Sequence, residues 1–130
     1  MDSRVRALYK IDRRPDGPAR ARRIIAEELA SRLPPQALAE VKLMVSELVT
    51  TGVVHGGAGE HDPVVLDVCM DAQIRCRVLD GGAGFAARAR QDGPGGQWAL
   101  QIVEKLADRW GLQCSRWPHR TEVSFERQCA

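Results

Sequence analysis

Between Pro35 and Gly56, the apolar residues Leu38, Val41, Met44, Val45, Leu48 and Val49 recur every three or four positions. At 3.6 residues per turn they share one face of an α-helix, whereas a strand would scatter them over both sides. The spacing predicts a helix over 36–55. Pro34 and Pro35 suit its opening, and Gly56, Gly57 and Gly59 suit its end. A helix with so wide an apolar stripe must bury it against a second layer.

The rest of the chain supplies that layer. Residues 4–11 alternate polar and apolar, as a half-buried strand does. Asp12 to Pro18 reads as a connection, and Ala21, Ile24, Ile25 and Leu29 mark an amphipathic helix over 18–32. Residues 64–70 and 73–79 read as two strands of a hairpin turning at Asp71-Ala72. The Gly- and Ala-rich stretch 81–97 reads as a long loop or lid. Leu100, Val103, Leu106 and Ala107 mark a third helix, and 110–116 and 120–126 a closing hairpin through Trp117-Pro118-His119. Hairpins mixed with helices predict an α/β chain of the two-layer α+β kind. It has a mixed, largely antiparallel sheet with three main helices on one face, in a single domain over 1–130.

A chain of 130 residues suits one core. Aromatic residues make up only 5%, so aliphatic side chains must fill that core. Trp98, Trp110 and Trp117 are expected to pack against the core or the lid, and His55, His61 and His119 are given no catalytic role. No apolar run approaches the ~18 residues that cross a bilayer. The basic start, Met1 to Arg14, lacks the apolar stretch of a secretory signal, which predicts a cytoplasmic protein. Cys69, Cys76, Cys114 and Cys129 show no zinc-site spacing, and Cys69 and Cys76 read as small buried hydrophobes. The net charge of +2 and the lack of a recognition motif argue against direct nucleic-acid binding. Charge is nevertheless uneven: residues 1–23 hold eight Lys/Arg against three acids. Such an arm is either a contact for an acidic partner or phosphate, or a solvated strand edge and helix face.

Three constellations carry chemistry. Asp80-Gly81-Gly82-Ala83-Gly84 follows a strand, where a carboxylate can meet a ligand's amino group and glycines let the backbone approach. Glu47 and Thr51 stand four apart at the polar margin of the long helix, where a carboxylate can act as general base. Gly93-Pro94-Gly95-Gly96 runs into a helix N-terminus, a setting that favours anions. Singly, each also describes ordinary structure: a tight turn, a solvated glutamate, a flexible loop.

In combination they are more specific. Val45-Ser46-Glu47-Leu48-Val49-Thr50, His55-Gly56-Gly57, Leu79-Asp80-Gly81-Gly82-Ala83-Gly84-Phe85, Leu100-Gln101-Ile102-Val103, Leu106 to Gly111 and Thr121 to Glu126 follow one another in a telling order. That order resembles the GHKL (Bergerat-fold, histidine-kinase-like) ATPases, and within them the bacterial anti-sigma factors of the serine-protein-kinase type. The resemblance implies ATP and Mg²⁺ as cofactors and Glu47 as general base for phosphoryl transfer. It implies that Asp80 receives the adenine amino group, with Gly82 and Gly84 shaping the adenine pocket. Gly95, Gly96, Leu100 and Thr121 complete the nucleotide site. It further implies a sigma factor and an anti-anti-sigma protein as partners, phosphorylation of a serine or threonine on the latter, and allows a homodimer.

The chain departs from that pattern in its phosphate and metal half. The family's metal-ligating Asn is Thr51 here, shorter though still able to offer an oxygen. Gly52 replaces the usual Ala, at ~1 kcal/mol in helix propensity. Gln97 and Ala99 stand where the family has two glycines before the third helix. Two readings follow: an ATP-dependent kinase, or a degenerate relative that binds its protein partner without nucleotide.

Overall fold

The computed structural model describes residues 4–55, 62–81, 98–116 and 119–130. The elements run β1 (Val5–Ile11), α1 (Gly17–Leu29), α2 (Pro35–His55), β2 (Val64–Met70), β3 (Gln73–Asp80), α3 (Trp98–Leu106), β4 (Arg109–Arg116) and β5 (His119–Gln128). The strands form one five-stranded sheet in the order β1-β2-β3-β5-β4. Every pairing is antiparallel. The expected α+β architecture is therefore present, and the described sheet is purely antiparallel, not mixed.

Period-two alternation sorts the strands into two faces. Val64, Leu66, Val68 and Met70 of β2, Ile74, Cys76 and Val78 of β3, and Val123 and Phe125 of β5 are buried beneath the helices. Against them α2 sets Val41, Met44, Val45, Leu48 and Val49, all with no solvent exposure. Ala37 joins this stripe, and Leu38 lies at its edge, partly buried. α1 adds Ala21, Ile24, Ile25 and Leu29.

The helix ends follow local chemistry. α1 stops at Leu29, ahead of the prolines, with the Ala30 N–H bonded to the Ala26 carbonyl. Pro35 takes the first position of α2, where a missing N–H costs nothing, and the Pro34 carbonyl receives the Leu38 N–H at 3.0 Å. The β2–β3 hairpin is held by Asp71, whose Oδ1 accepts the Gln73 N–H at 3.1 Å. That bond holds the exposed Asp71 carboxyl below its ordinary pKa.

Polar ties fix the helices on the sheet. Arg127, on the helix side of β5, reaches Glu40 of α2 with two N–H groups at 3.1 and 3.2 Å. The Tyr9 hydroxyl of β1 donates to Glu28 of α1, a bond that pushes the phenol pKa up. Arg13 donates to the Val53 carbonyl near the end of α2, at 3.3 Å.

Cys76 is fully buried, and loss of hydration pushes its thiol pKa well up. Cys69, half-buried on the opposite face, is also raised, first by burial and then by Asp67. Cys114 is exposed. Only thiolate reacts with a disulfide reagent. A thiol titration at neutral pH is therefore expected to modify Cys114 in the folded protein and Cys76 only after denaturant. Equal rates for the two would contradict this packing. Of the tryptophans expected against the core or the lid, Trp98 is 56% exposed and Trp110 37%, so neither is a core residue; residues 82–97 of the lid lie outside the described residues. Trp117 lies outside the described residues.

Candidate functional site

The carboxyl end of β3 carries Asp80, 1% exposed and on the helix-facing side of the sheet. The next strand places Thr121 directly opposite, equally buried. Cys114 of β4 follows in the same cross-strand row. A carboxylate and a hydroxyl at the end of a hydrophobic sheet are costly to bury unless a polar group answers them.

α2 closes over this row. A Cβ on Gly52 would lie 3.8 Å from the Asp80 Cβ and 3.1 Å from Cγ2 of buried Val64. Gly52 is thus where the helix comes down onto the end of β2 and β3, and its bare Cα leaves room beside the Asp80 side chain. The spacing of the chain exposed only the helix-propensity cost of this glycine; the close approach is its structural return. Gly52→Ala therefore sets a propensity gain of ~1 kcal/mol against a tight contact. The expected net change is within about 1 kcal/mol. Gly52→Val overpacks the seat and is expected to cost about 1–3 kcal/mol in urea denaturation. A Val variant as stable as the wild type would contradict the seating described here.

Glu47 lies on α2 five residues before Gly52, about 7.5 Å along the helix axis, and is half-buried at the margin of the apolar face. The Thr51 hydroxyl, one turn on, donates to the Glu47 carbonyl at 3.1 Å. Thr50 and Ser46 do the same to Ser46 and Leu43, at 2.7 and 3.1 Å. These protons are spent within the helix. The Thr51 oxygen keeps lone-pair capacity for a cation, on a side chain shorter than the Asn it replaces.

Leu100 stands in the first turn of α3, almost wholly buried against the core. Gly82, Gly84, Gly95 and Gly96 lie outside the described residues. Gly81 follows Asp80, and Asp62 presses on it so closely that a Cβ there would fall 1.6 Å from an Asp62 carboxylate oxygen. Sequence reading missed Asp62: it precedes β2 by two residues and carries no motif of its own.

The structure thus brings Asp80, Thr121 and Gly52 together and sets Glu47 and Thr51 up the helix from them. Among the described residues, no group of three or more His, Cys, Asp and Glu is placed to hold a metal. None of the described helices is long and apolar enough to cross a membrane.

Comparisons with known proteins bear on the fold and the family. The chain aligns over 95% of its length with the RsbU and RsbW domains of Rv1364c from Mycobacterium tuberculosis. The TM-score is 0.75 at 19% identity, a likeness that shows the fold; the aligned region is 32% of that larger chain. The Acinetobacter baumannii histidine kinase AdeS aligns over 95% of this chain and 68% of its own, at 13% identity and a TM-score of 0.47. No curated protein matches by sequence. The profile of the histidine kinase-like ATPase domain matches residues 11–126, nearly the whole chain. This protein therefore belongs to the histidine kinase-like ATPase domain family.

Proposed function

We propose that this chain is an anti-sigma-factor-like regulator of the cytoplasm that binds ATP and phosphorylates a serine or threonine of an anti-anti-sigma partner. The observation that carries the reading is the buried Asp80 carboxylate, beside Thr121 and under the bare Cα of Gly52. A flat base with an amino edge answers that row: the carboxylate accepts from the amino group, and Gly52 leaves the space. The fold shared with a structure containing an RsbW domain supports it, as do the motif stretches of the anti-sigma type.

In this reading Thr121 and Leu100 flank the base, while Gly82, Gly84, Gly95 and Gly96 line the remainder of the nucleotide. ATP would give its γ-phosphoryl group to the partner's hydroxyl oxygen with ADP as the leaving group, and Thr51 would help hold a Mg²⁺ that offsets the phosphate charge. Glu47 takes the proton from the partner's hydroxyl as its oxygen attacks.

A second reading has one observation in its favour. The Thr51 hydroxyl is bonded back to its own helix, where the family places a longer ligand. A degenerate module would then hold a sigma factor or antagonist without nucleotide. Two experiments separate the readings. Thr51→Asn is expected to raise the Mg²⁺-dependent part of ATP affinity about tenfold. Labelled ATP with a purified anti-anti-sigma protein is expected to mark a serine or threonine in the wild type and none in Glu47→Ala. Partner binding with neither label nor ATP dependence would establish the degenerate module instead.

A further inference from the structure

The sheet's outer face, turned away from α1, α2 and α3, is covered by none of the described elements. Its cross-strand rows follow from the register. One reads Lys10, Val65, Leu79, Glu122, Gln113; the next Leu8, Asp67, Arg77, Ser124, Gly111; the third Arg6, Cys69, Arg75, Glu126, Arg109. Arg120 and Ser115 extend the grid at the end nearer Asp80.

The charges on this face are arranged, not scattered. Among the described strand residues it holds six cations and three carboxylates, an excess of three where the whole chain has +2. The carboxylates sit inside and are already matched. Arg77 holds Asp67 through two N–H groups at 2.7 and 3.0 Å and Glu122 through a third at 3.0 Å. Arg75 meets Glu126 at 3.4 Å. What remains unbalanced is the periphery: Arg6 and Lys10 on β1 and, across the sheet, Arg109 on β4 with Arg120 on β5.

Between those rims the ion-paired groups sum to −1, two arginines against three carboxylates, and an apolar strip runs beside them. Leu8 is 62% exposed, an unusual state for a strand leucine, and Val65 and Leu79 continue an apolar diagonal from it. Gly111 and Ser124 leave the floor shallow on the far side. A hollow of about 410 Å³ opens at the β4–β5 end of the face among Leu79, Gln113, Cys114, Ser115, Arg120 and Glu122, with room for a bulky side chain. β1 and β4 are four strand spacings apart, about 19 Å. An α-helix is about 10–12 Å across with its side chains. It would lie between the rims with its acidic residues reaching both.

We propose that this face docks an acidic amphipathic helix of a partner protein, apolar stripe on the Leu8–Val65–Leu79 diagonal and carboxylates on the two cationic rims. The charge run that the sequence places at the N-terminus thus contributes one rim, through Arg6 and Lys10. Nucleic acid fits the face less well. Three carboxylates lie in the path of any phosphate chain, and among the described residues no aromatic side chain stands there to stack on a base. A second copy of this chain would bring another surplus of cations. The proposal does not depend on the nucleotide reading, because the candidate nucleotide site lies on the opposite, helix-covered face.

The test uses the full chain and a synthetic helical peptide of about 18 residues, about 27 Å long and so matched to the length of the strands it lies along. It carries leucines at every third or fourth position and glutamates on both flanks. The wild type is expected to bind it saturably, with affinity falling as salt rises. The triple variant Arg6→Glu, Lys10→Glu, Arg109→Glu is expected to lose tenfold or more, with its circular dichroism melt unchanged. Arg22→Glu with Arg23→Glu, on the exposed side of α1, keeps the affinity, and a peptide with leucines replaced by glutamines loses it. Three outcomes overturn the proposal: no saturable binding, equal loss from the α1 control, or tighter binding of duplex DNA or phosphatidylserine vesicles at the same ionic strength. ATP titration of the rim variant is expected to match the wild type, so failure here and failure of the nucleotide site read out separately.

Discussion

Phe125→Ala is expected to lower the free energy of unfolding by about 3–5 kcal/mol. Among the described residues Phe125 is the largest fully buried side chain; it lies on β5, paired between Cys76 of β3 and Trp110 of β4. The chain has only two phenylalanines and a low aromatic share, so most of the core around it is aliphatic. The aliphatic side chains around it are held at helix and strand spacing and relax only in part. Domains of this size are stable by about 5–15 kcal/mol, so the loss is a large fraction of the total. Urea denaturation followed by circular dichroism reads it directly. Leu43→Ala, on the exposed side of α2, is the control and is expected to stay within about 0.5 kcal/mol. A Phe125 variant that loses no more than this control would mean that the core is not centred where the sheet puts it.

Asp80→Asn is expected to weaken adenine-nucleotide binding about a hundredfold while leaving the fold intact. The substitution keeps shape and size, so Thr121 opposite and Gly52 above see the same volume. What changes is the acceptor. A buried carboxylate accepts a charge-assisted bond, which a neutral amide does not replace; such bonds are worth about 1.5–3 kcal/mol. The check is a nucleotide titration alongside a thermal melt. Unchanged affinity would place the base elsewhere, and a collapsed melt would make Asp80 a structural residue.

Much of the fold was legible because burial enforces periodicity. The α2 stripe from Val41 to Val49 and the alternation of Ile74, Cys76 and Val78 each match the layer they enter. Element ends were less legible. α1 halts at Leu29, well before Pro34, because its last apolar contact is made there and nothing beyond it is buried until Leu33. Asp80 and Thr121 were visible as motif positions, but their pairing across β3 and β5 is a matter of register, which a single sequence does not state. Gly52 appeared as a weak spot in a helix, since its reason for being is a neighbour 12 residues away, Val64. Trp98 begins a helix whose buried side starts with Ala99 and Leu100, and this leaves it outside the core.

Calorimetry of the wild-type chain with ATP and with ADP, each with and without Mg²⁺, tests the central claim most directly. Binding in the micromolar range that strengthens with Mg²⁺ is the expected result. ATP and ADP should share the same dependence on Asp80, since the base is common to both. No heat of binding at millimolar nucleotide would contradict it and leave the family fold here as a protein-docking scaffold alone.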